Sequence, residues 1–144
     1  MNNLIRACRP EIVFTHSSED LFSDHQWVHR LSRDAIGGAA GPWYPEAGGD
    51  PHRVPQILGY EVWNPIQAPQ MTVDISETLA IKLKALREHR SQLEDVDYTG
   101  AVEGLARYRA VTGFRGNYAE AFEVLCAEIC GIRPWHGSAS FTQY

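Results

Sequence analysis

Within its first fifteen residues the chain passes from a helical pattern through a proline into a short apolar strand. Leu4, Ile5 and Cys8 are spaced as one helical face, and Pro10 closes the helix because it lacks an N–H and clashes with the preceding turn. Glu11-Ile-Val-Phe-Thr15 is β-branched and aromatic, as a buried strand is. Helix, proline, strand is the second half of an α/β unit, and no strand precedes the helix. The expected fold is therefore α/β: a Rossmann-like three-layer domain, present as its C-terminal portion with the first strand–helix units missing. Such a portion exposes a sheet edge and an apolar helix face, because sheets of this kind are covered on both sides.

Composition narrows the function classes. The chain has 144 residues and a net charge of -5, which argues against a general nucleic-acid binder, since phosphate contacts need a basic surface. No apolar run approaches the roughly 18 residues of a membrane span, and Met1-Asn-Asn-Leu-Ile-Arg6 is not a signal peptide. Three cysteines, Cys8, Cys126 and Cys130, are an odd number without a second pair, so the expected compartment is reducing and cytoplasmic. Cys126 and Cys130 would share a face on a helix; a buried structural role is the expectation for both, a two-thiolate half-site the alternative.

The remaining pattern predicts a helix from His25 to about Ala35, capped by Ser23 or Asp24, with Trp27, Val28, Leu31 and Ala35 facing inward. Residues 37–52 form a long loop rich in Gly, Pro and Ala that carries Trp43 and Tyr44. Strands follow at Pro55–Trp63 and Met71–Asp74. Asp74 and Glu77 make a capping-box-like start to a helix with Leu79, Leu83 and Leu86 on one face, and another helix spans Thr99 to Val111. Ala121–Leu125 fits strand or helix equally. Residues 1–130 are read as the partial domain and 131–144 as a tail without assigned structure.

The densest polar cluster follows the first strand: His16, Glu19, Asp20, Asp24, His25 and His29. Loops at strand carboxyl ends carry the sites of α/β proteins. On spacing alone three readings stand. His25 and His29, four apart, could act as a metal pair on one helix face. Alternatively His25 acts alone, its ring oriented by Asp24 or Asp20. In the third, these are solvated residues at a helix start, where carboxylates are favoured anyway.

The stretch Arg9-Pro-Glu-Ile-Val-Phe-Thr-His-Ser-Ser-Glu-Asp-Leu-Phe-Ser-Asp-His25 resembles the second metal-site segment of the PIG-L/LmbE family of zinc-dependent de-N-acetylases. Gly59-Tyr-Glu-Val-Trp-Asn-Pro65, Val73-Asp-Ile-Ser76, Lys82 and Lys84 before Ala85-Leu86, His89-Arg-Ser-Gln92 and Tyr118-Ala-Glu-Ala-Phe122 occur in that family's order. The likeness runs from about Leu4 to Leu125. It implies a hydrolase that deacetylates N-acetylglucosaminyl-type substrates with Zn2+. Carried over by position, His25 is the zinc ligand and Asp24 the catalytic carboxylate beside it. Asp20 supports, and Glu120 lies in a recurrent stretch without a defined role. His16 and His29 match no family ligand.

Two departures bear on activity. The family's histidine for oxyanion or leaving-group chemistry falls at Phe22, which can neither donate a hydrogen bond nor carry a proton. The family's first motif, Ala-His-Pro-Asp-Asp, does not occur, so the resemblance leaves one zinc ligand and no general base, and tight zinc binding needs at least three ligands. The expectation is an enzyme weakly active alone, truncated or completed by a partner chain or homo-oligomer. The alternative is a non-catalytic carbohydrate-binding remnant in which Trp43, Tyr44 and Trp63 stack on an amino sugar, against a plain packing role for the same aromatics.

Overall fold

A computed structural model describes residues 1–127, so Cys130 and the tail assigned to 131–144 lie outside the described residues. Helix α1 (Asn2–Cys8) ends at Arg9 in a left-handed conformation, and Pro10 leads into strand β1 (Ile12–His16). Helix α2 (Ser23–Ala39) returns along the sheet to β2 (Gln56–Tyr60), which pairs parallel with β1, Phe14 opposite Leu58 and His16 opposite Tyr60. A helix joining two parallel neighbours is the α/β crossover that the opening order implies.

Strand β3 (Met71–Asp74), helices α3 (Leu79–Arg87) and α4 (Tyr98–Gly113), and strand β4 (Ala119–Ala127) complete the described chain. β4 inserts antiparallel between β2 and β3, giving the order β1-β2-β4-β3 and a mixed four-stranded sheet. Ala121–Leu125 is thus strand. Pairing on both sides decides it, and Cys126 lies in the same strand rather than on a helix face.

Two clusters form the core. Ile5, Ala35, Ile36, Ala39, Val54 and Ile57 join α1 and α2 to the sheet, with Val13 and Cys126 packed against them. Ile75, Leu79, Leu83 and Ala106 join α3 and α4 near β3 and β4. Between α4 and the sheet, a groove of about 740 Å³ is lined largely by apolar residues, Ile12, Phe14, Leu58, Val102 and Phe122 among them.

Several local expectations are corrected. α2 starts after Phe22, which makes no side-chain cap, and Ser23 and Asp24 lie inside its first turn. Its core face is His29, Ala35, Ile36 and Ala39, whereas Trp27, Val28 and Leu31 are exposed, Trp27 stacking under Arg30. The 3.6-residue pattern marks an apolar stripe but not which stripe the sheet covers. Asp74 does not cap α3; its Oδ1 accepts the Ser76 amide and hydroxyl in a turn that closes β3. α4, by contrast, is capped by Asp97, which accepts the Thr99 and Gly100 amides. β1 ends the sheet, paired only with β2 among the described residues, and Ile12 and Phe14 are exposed on it.

Candidate metal centre

The carboxyl end of β1 and the start of α2 converge on one group of side chains. Asp20 is its centre. At 1% exposure it is effectively removed from water, and such a charge is tolerable only with several donors. Its Oδ1 lies 2.9 Å from His25 Nδ1 and 3.2 Å from the donating Phe22 amide; its Oδ2 accepts the Trp63 amide at 3.3 Å. Gln26 donates to the Asp20 carbonyl at 2.8 Å. The loop after β1, the first turn of α2 and the segment after β2 are therefore tied through one residue.

His16, the last residue of β1, stacks on His25 with ring centroids 3.9 Å apart and planes 16° from parallel. Its Nε2 lies 3.4 Å from the Tyr60 hydroxyl, while its Nδ1 is buried without a hydrogen-bond partner. Burial, and then the neighbouring His25, push His16 below the ordinary histidine range. Burial, and then Asp20, raise the Tyr60 phenol. Both effects on His16 favour the neutral imidazole, the form in which a histidine can bind a metal.

The supports are specific. His29 is buried and its Nδ1 lies 2.8 Å from the His16 carbonyl, so this ring anchors β1 to α2 instead of pairing with His25 as a ligand. Glu123 of β4 accepts both the Ser18 amide and the Ser18 hydroxyl at 2.7 Å, holding the loop from across the sheet. Gly59 permits this: a Cβ there would stand 3.0 Å from the Ser17 Cα, so the backbone of the loop would have to shift to admit it. Asn64 donates to the Glu19 carbonyl at 2.7 Å.

The other sequence-derived candidates scatter. Asp24 is exposed at the start of α2, its Oδ1 accepting the His25 amide at 3.0 Å. Trp63 belongs to the site: Phe22, Trp63 and Tyr98 form a row with centroids 5.1 and 5.3 Å apart, ending beside His25. Trp43 and Tyr44 lie beyond the far end of α2, whose 17 residues span about 25 Å at roughly 1.5 Å each, too far to share a ligand with His25. There their carbonyls help to enclose the buried Arg6, which also donates to the carbonyls of Gly38, Ala39, Gly41 and Gly48. Glu120 is ion-paired with Lys82 at the rim of the α4 groove. Of the other residues at the site, His16 stands in the sequence only as a member of the polar cluster that matches no family ligand, and Tyr60 and Glu123 carry no assigned role there.

His16, Asp20 and His25 each offer one donor atom, and these atoms lie within 4.8 Å of one another. The orphaned His16 Nδ1 and the buried Asp20 carboxylate give a nitrogen and oxygen donor set that suits zinc.

No family model matches the chain. Solved structures of similar fold include the conserved protein TT1542 from Thermus thermophilus, with 27% identity over 89% of this chain and 57% of that one and a TM-score of 0.76. The N,N'-diacetylchitobiose deacetylase from Pyrococcus horikoshii, in complex with its inhibitor MPG, matches at 22% identity over 86% of this chain and 49% of that one, TM-score 0.72. GalB, the 4-carboxy-2-hydroxymuconate hydratase from Pseudomonas putida KT2440, matches at 22% identity over 92% and 59%, TM-score 0.67. The chain spans between 49% and 59% of the length of these structures. They share its Rossmann-like α/β fold. A deacetylase and a hydratase on one framework mean that the reaction must be argued from the site. Among the described residues no helix is long and apolar enough to cross a membrane.

Proposed function

We propose that the chain is a PIG-L/LmbE-type, zinc-dependent N-acetyl hydrolase acting on N-acetylglucosaminyl-type amides. The observation that carries this reading is the His25–Asp20 pair, a partly buried imidazole whose Nδ1 lies 2.9 Å from a carboxylate buried among three donors. A carboxylate fixed in this way sets the tautomer and direction of the ring. The resemblance of residues 9–25 and the fold shared with a chitobiose deacetylase support it.

His25 would hold the zinc, with Asp20 orienting it. Zinc supplies polarisation of an amide carbonyl and an acidic bound water. Asp24, exposed one residue before His25, is the catalytic carboxylate that the resemblance assigns by position. Phe22 brings no proton to the leaving amine; it, Trp63 and Tyr98 present an aromatic wall to the C–H face of a sugar ring. The Ala-His-Pro-Asp-Asp motif that supplies the family's general base and further ligands does not occur in this sequence, and the reading therefore has the chain weakly active alone. Residues supplied by a partner chain or a second copy would complete it at the open edge of β1, beside exposed Ile12 and Phe14. The place of action is the cytoplasm, and neither nucleic acid nor a membrane span enters.

The test is amine release from N-acetylglucosamine and N,N'-diacetylchitobiose by zinc-loaded protein, wild type against His25→Ala. A slow rate that disappears in H25A, and rises when a chain supplying the Ala-His-Pro-Asp-Asp segment is added, is expected. Equal rates in both proteins refute the assignment. The Phe22 position favours a second reading, a carbohydrate-binding remnant: saturable sugar binding, weakened by Trp63→Ala and without turnover under any metal loading, would establish it.

A further inference from the structure

The end of α2 remote from His25 carries a second, differently built feature. Arg6 is 5% exposed, and its guanidinium donates to the carbonyls of Gly38, Ala39, Gly41, Trp43, Tyr44 and Gly48. A charge taken out of water needs polar partners around it, and the end of α2 with the loop after it supplies them. That loop then turns its two largest side chains outward: Trp43 is 61% and Tyr44 54% exposed. Tyr44 is left-handed, with φ 59°, and precedes Pro45, a conformation disfavoured both for a bulky residue and for any residue before proline. Burial does not offset the cost, because the ring stays in water. Backbone strain of this kind clusters where it serves binding or catalysis.

We propose that Trp43 and Tyr44, with Arg33 and Asp34 of α2, form a binding site for a sugar chain, separate from the candidate metal centre and independent of any reaction there. Both rings are seated on glycine. A Cβ on Gly41 would run into the Trp43 ring and one on Gly38 would meet the Tyr44 ring, so each ring rests on backbone and leaves its remaining surface open. The rings share an open cleft of about 670 Å³ with Arg33, Asp34, Gly37 and Gly38, a size that suits a small ligand. Arg33 and Gly37, like Asp34 and Gly38, stand four apart on α2, so the two charged side chains rise beside the glycine floor.

The polar pair selects the ligand class. Exposed Arg33 only donates hydrogen bonds, and exposed Asp34, ionised, only accepts them. A pyranose answers both through its hydroxyls and offers C–H faces to the rings. A proline-rich peptide, another ligand of exposed aromatics, has no N–H at its prolines for Asp34. Nucleic acid brings phosphates, to which a chain of net charge -5 is unsuited. The 17 residues of α2 set the cleft about 25 Å from His25, at roughly 1.5 Å each, so it holds a part of a glycan that no reacting sugar at His25 occupies.

The experiment titrates the full chain calorimetrically with N-acetylglucosamine and glucose oligomers of up to six units. Trp63→Ala protein is used, so that the aromatic wall beside His25 does not contribute. One oligomer per chain should bind saturably. Adding Trp43→Ala should weaken binding about tenfold, the loss of one stacked ring; Trp43→Phe should recover most of it, and Asp34→Ala should weaken it by a similar factor. The indole N–H resonance of Trp43 is followed by NMR in the wild type and should move with added sugar, which tests the site without any substitution. No saturable binding, equal binding with and without Trp43, or an unmoved Trp43 indole overturns the proposal. So does a Trp43-dependent dimer in sedimentation, or a proline-rich peptide that moves the indole where sugars do not. Amine release from N-acetylglucosamine should be the same in Trp43→Ala and wild type, so failure of this site and failure of the proposed function read out separately.

Discussion

Arg109 and Glu61 form a buried ion pair whose removal gives the sharpest test of how the site is supported. Their side chains are 6% and 8% exposed. The guanidinium donates through Nε at 3.2 Å and through Nη2 to the two Glu61 oxygens, and Nη2 also reaches the Ile66 carbonyl at 2.8 Å. Glu61 accepts the Ile66 amide at 2.8 Å. The pair thus joins α4 to the segment after β2, two residues before Trp63, whose amide holds Asp20. Arg109→Met keeps much of the apolar stem but leaves the Glu61 charge buried with one amide donor. An orphaned charge of this kind costs about 3–5 kcal/mol, and the lost bond to Ile66 adds about 1 kcal/mol. Against a domain stability of about 5–15 kcal/mol, the variant should unfold at markedly lower urea. Glu61→Leu with Arg109→Met removes both charges and should recover most of the loss, remaining short of wild type by about 1–2 kcal/mol for the unpaired Ile66 amide and carbonyl. Equilibrium urea unfolding of wild type, single and double variants decides it. An Arg109→Met protein within about 1 kcal/mol of wild type, or a double variant no more stable than the single, would refute the argument.

Arg6→Lys should destabilise the 37–48 loop and raise its proteolysis, because one ammonium cannot serve the carbonyls that the planar fork reaches; zinc affinity, decided at the other end of α2, should not change. The Asp97 carboxyl is held below its ordinary value first by the Thr99 hydroxyl and then by the Gly100 amide, so the fold favours its charged form. That contribution is present above the ordinary carboxylate value and is lost as the pH falls through the lowered one. Melting curves between pH 5 and 2.5 should therefore show wild type losing more stability than Asp97→Asn; parallel curves would remove Asp97 as a charged cap.

Much of the secondary structure was legible because local rules determine it. Pro10 after a helical face, the β-branched run to Thr15, Met71–Asp74 and the leucine-faced α3 follow from propensity and period. The Asp97 cap escaped because the helix was expected to begin at Thr99, one residue late. The wrong inward face of α2 has another origin. Trp27, Val28 and Leu31 make the more apolar stripe, and only the position of the sheet makes His29 and Ile36 the buried ones.

The candidate site divides in the same way. His25, Asp20 and Asp24 stand within six positions, so a local motif could mark them, whereas Trp63 was offered as a stacking aromatic on the same footing as Trp43 and Tyr44. Trp43 and Tyr44 were grouped with that site by residue type alone, and the length of α2 separates them from it. The amino-acid sequence by itself determined that an α/β crossover carries a polar, histidine-bearing loop at the end of its first strand, because helix periodicity, proline and β-propensity act over a few residues. Only the tertiary structure decided that His16 meets His25, that Asp20 loses its water and that Glu123 reaches Ser18 from 105 positions away. Those contacts depend on sheet pairing and burial, which join residues that no local pattern relates.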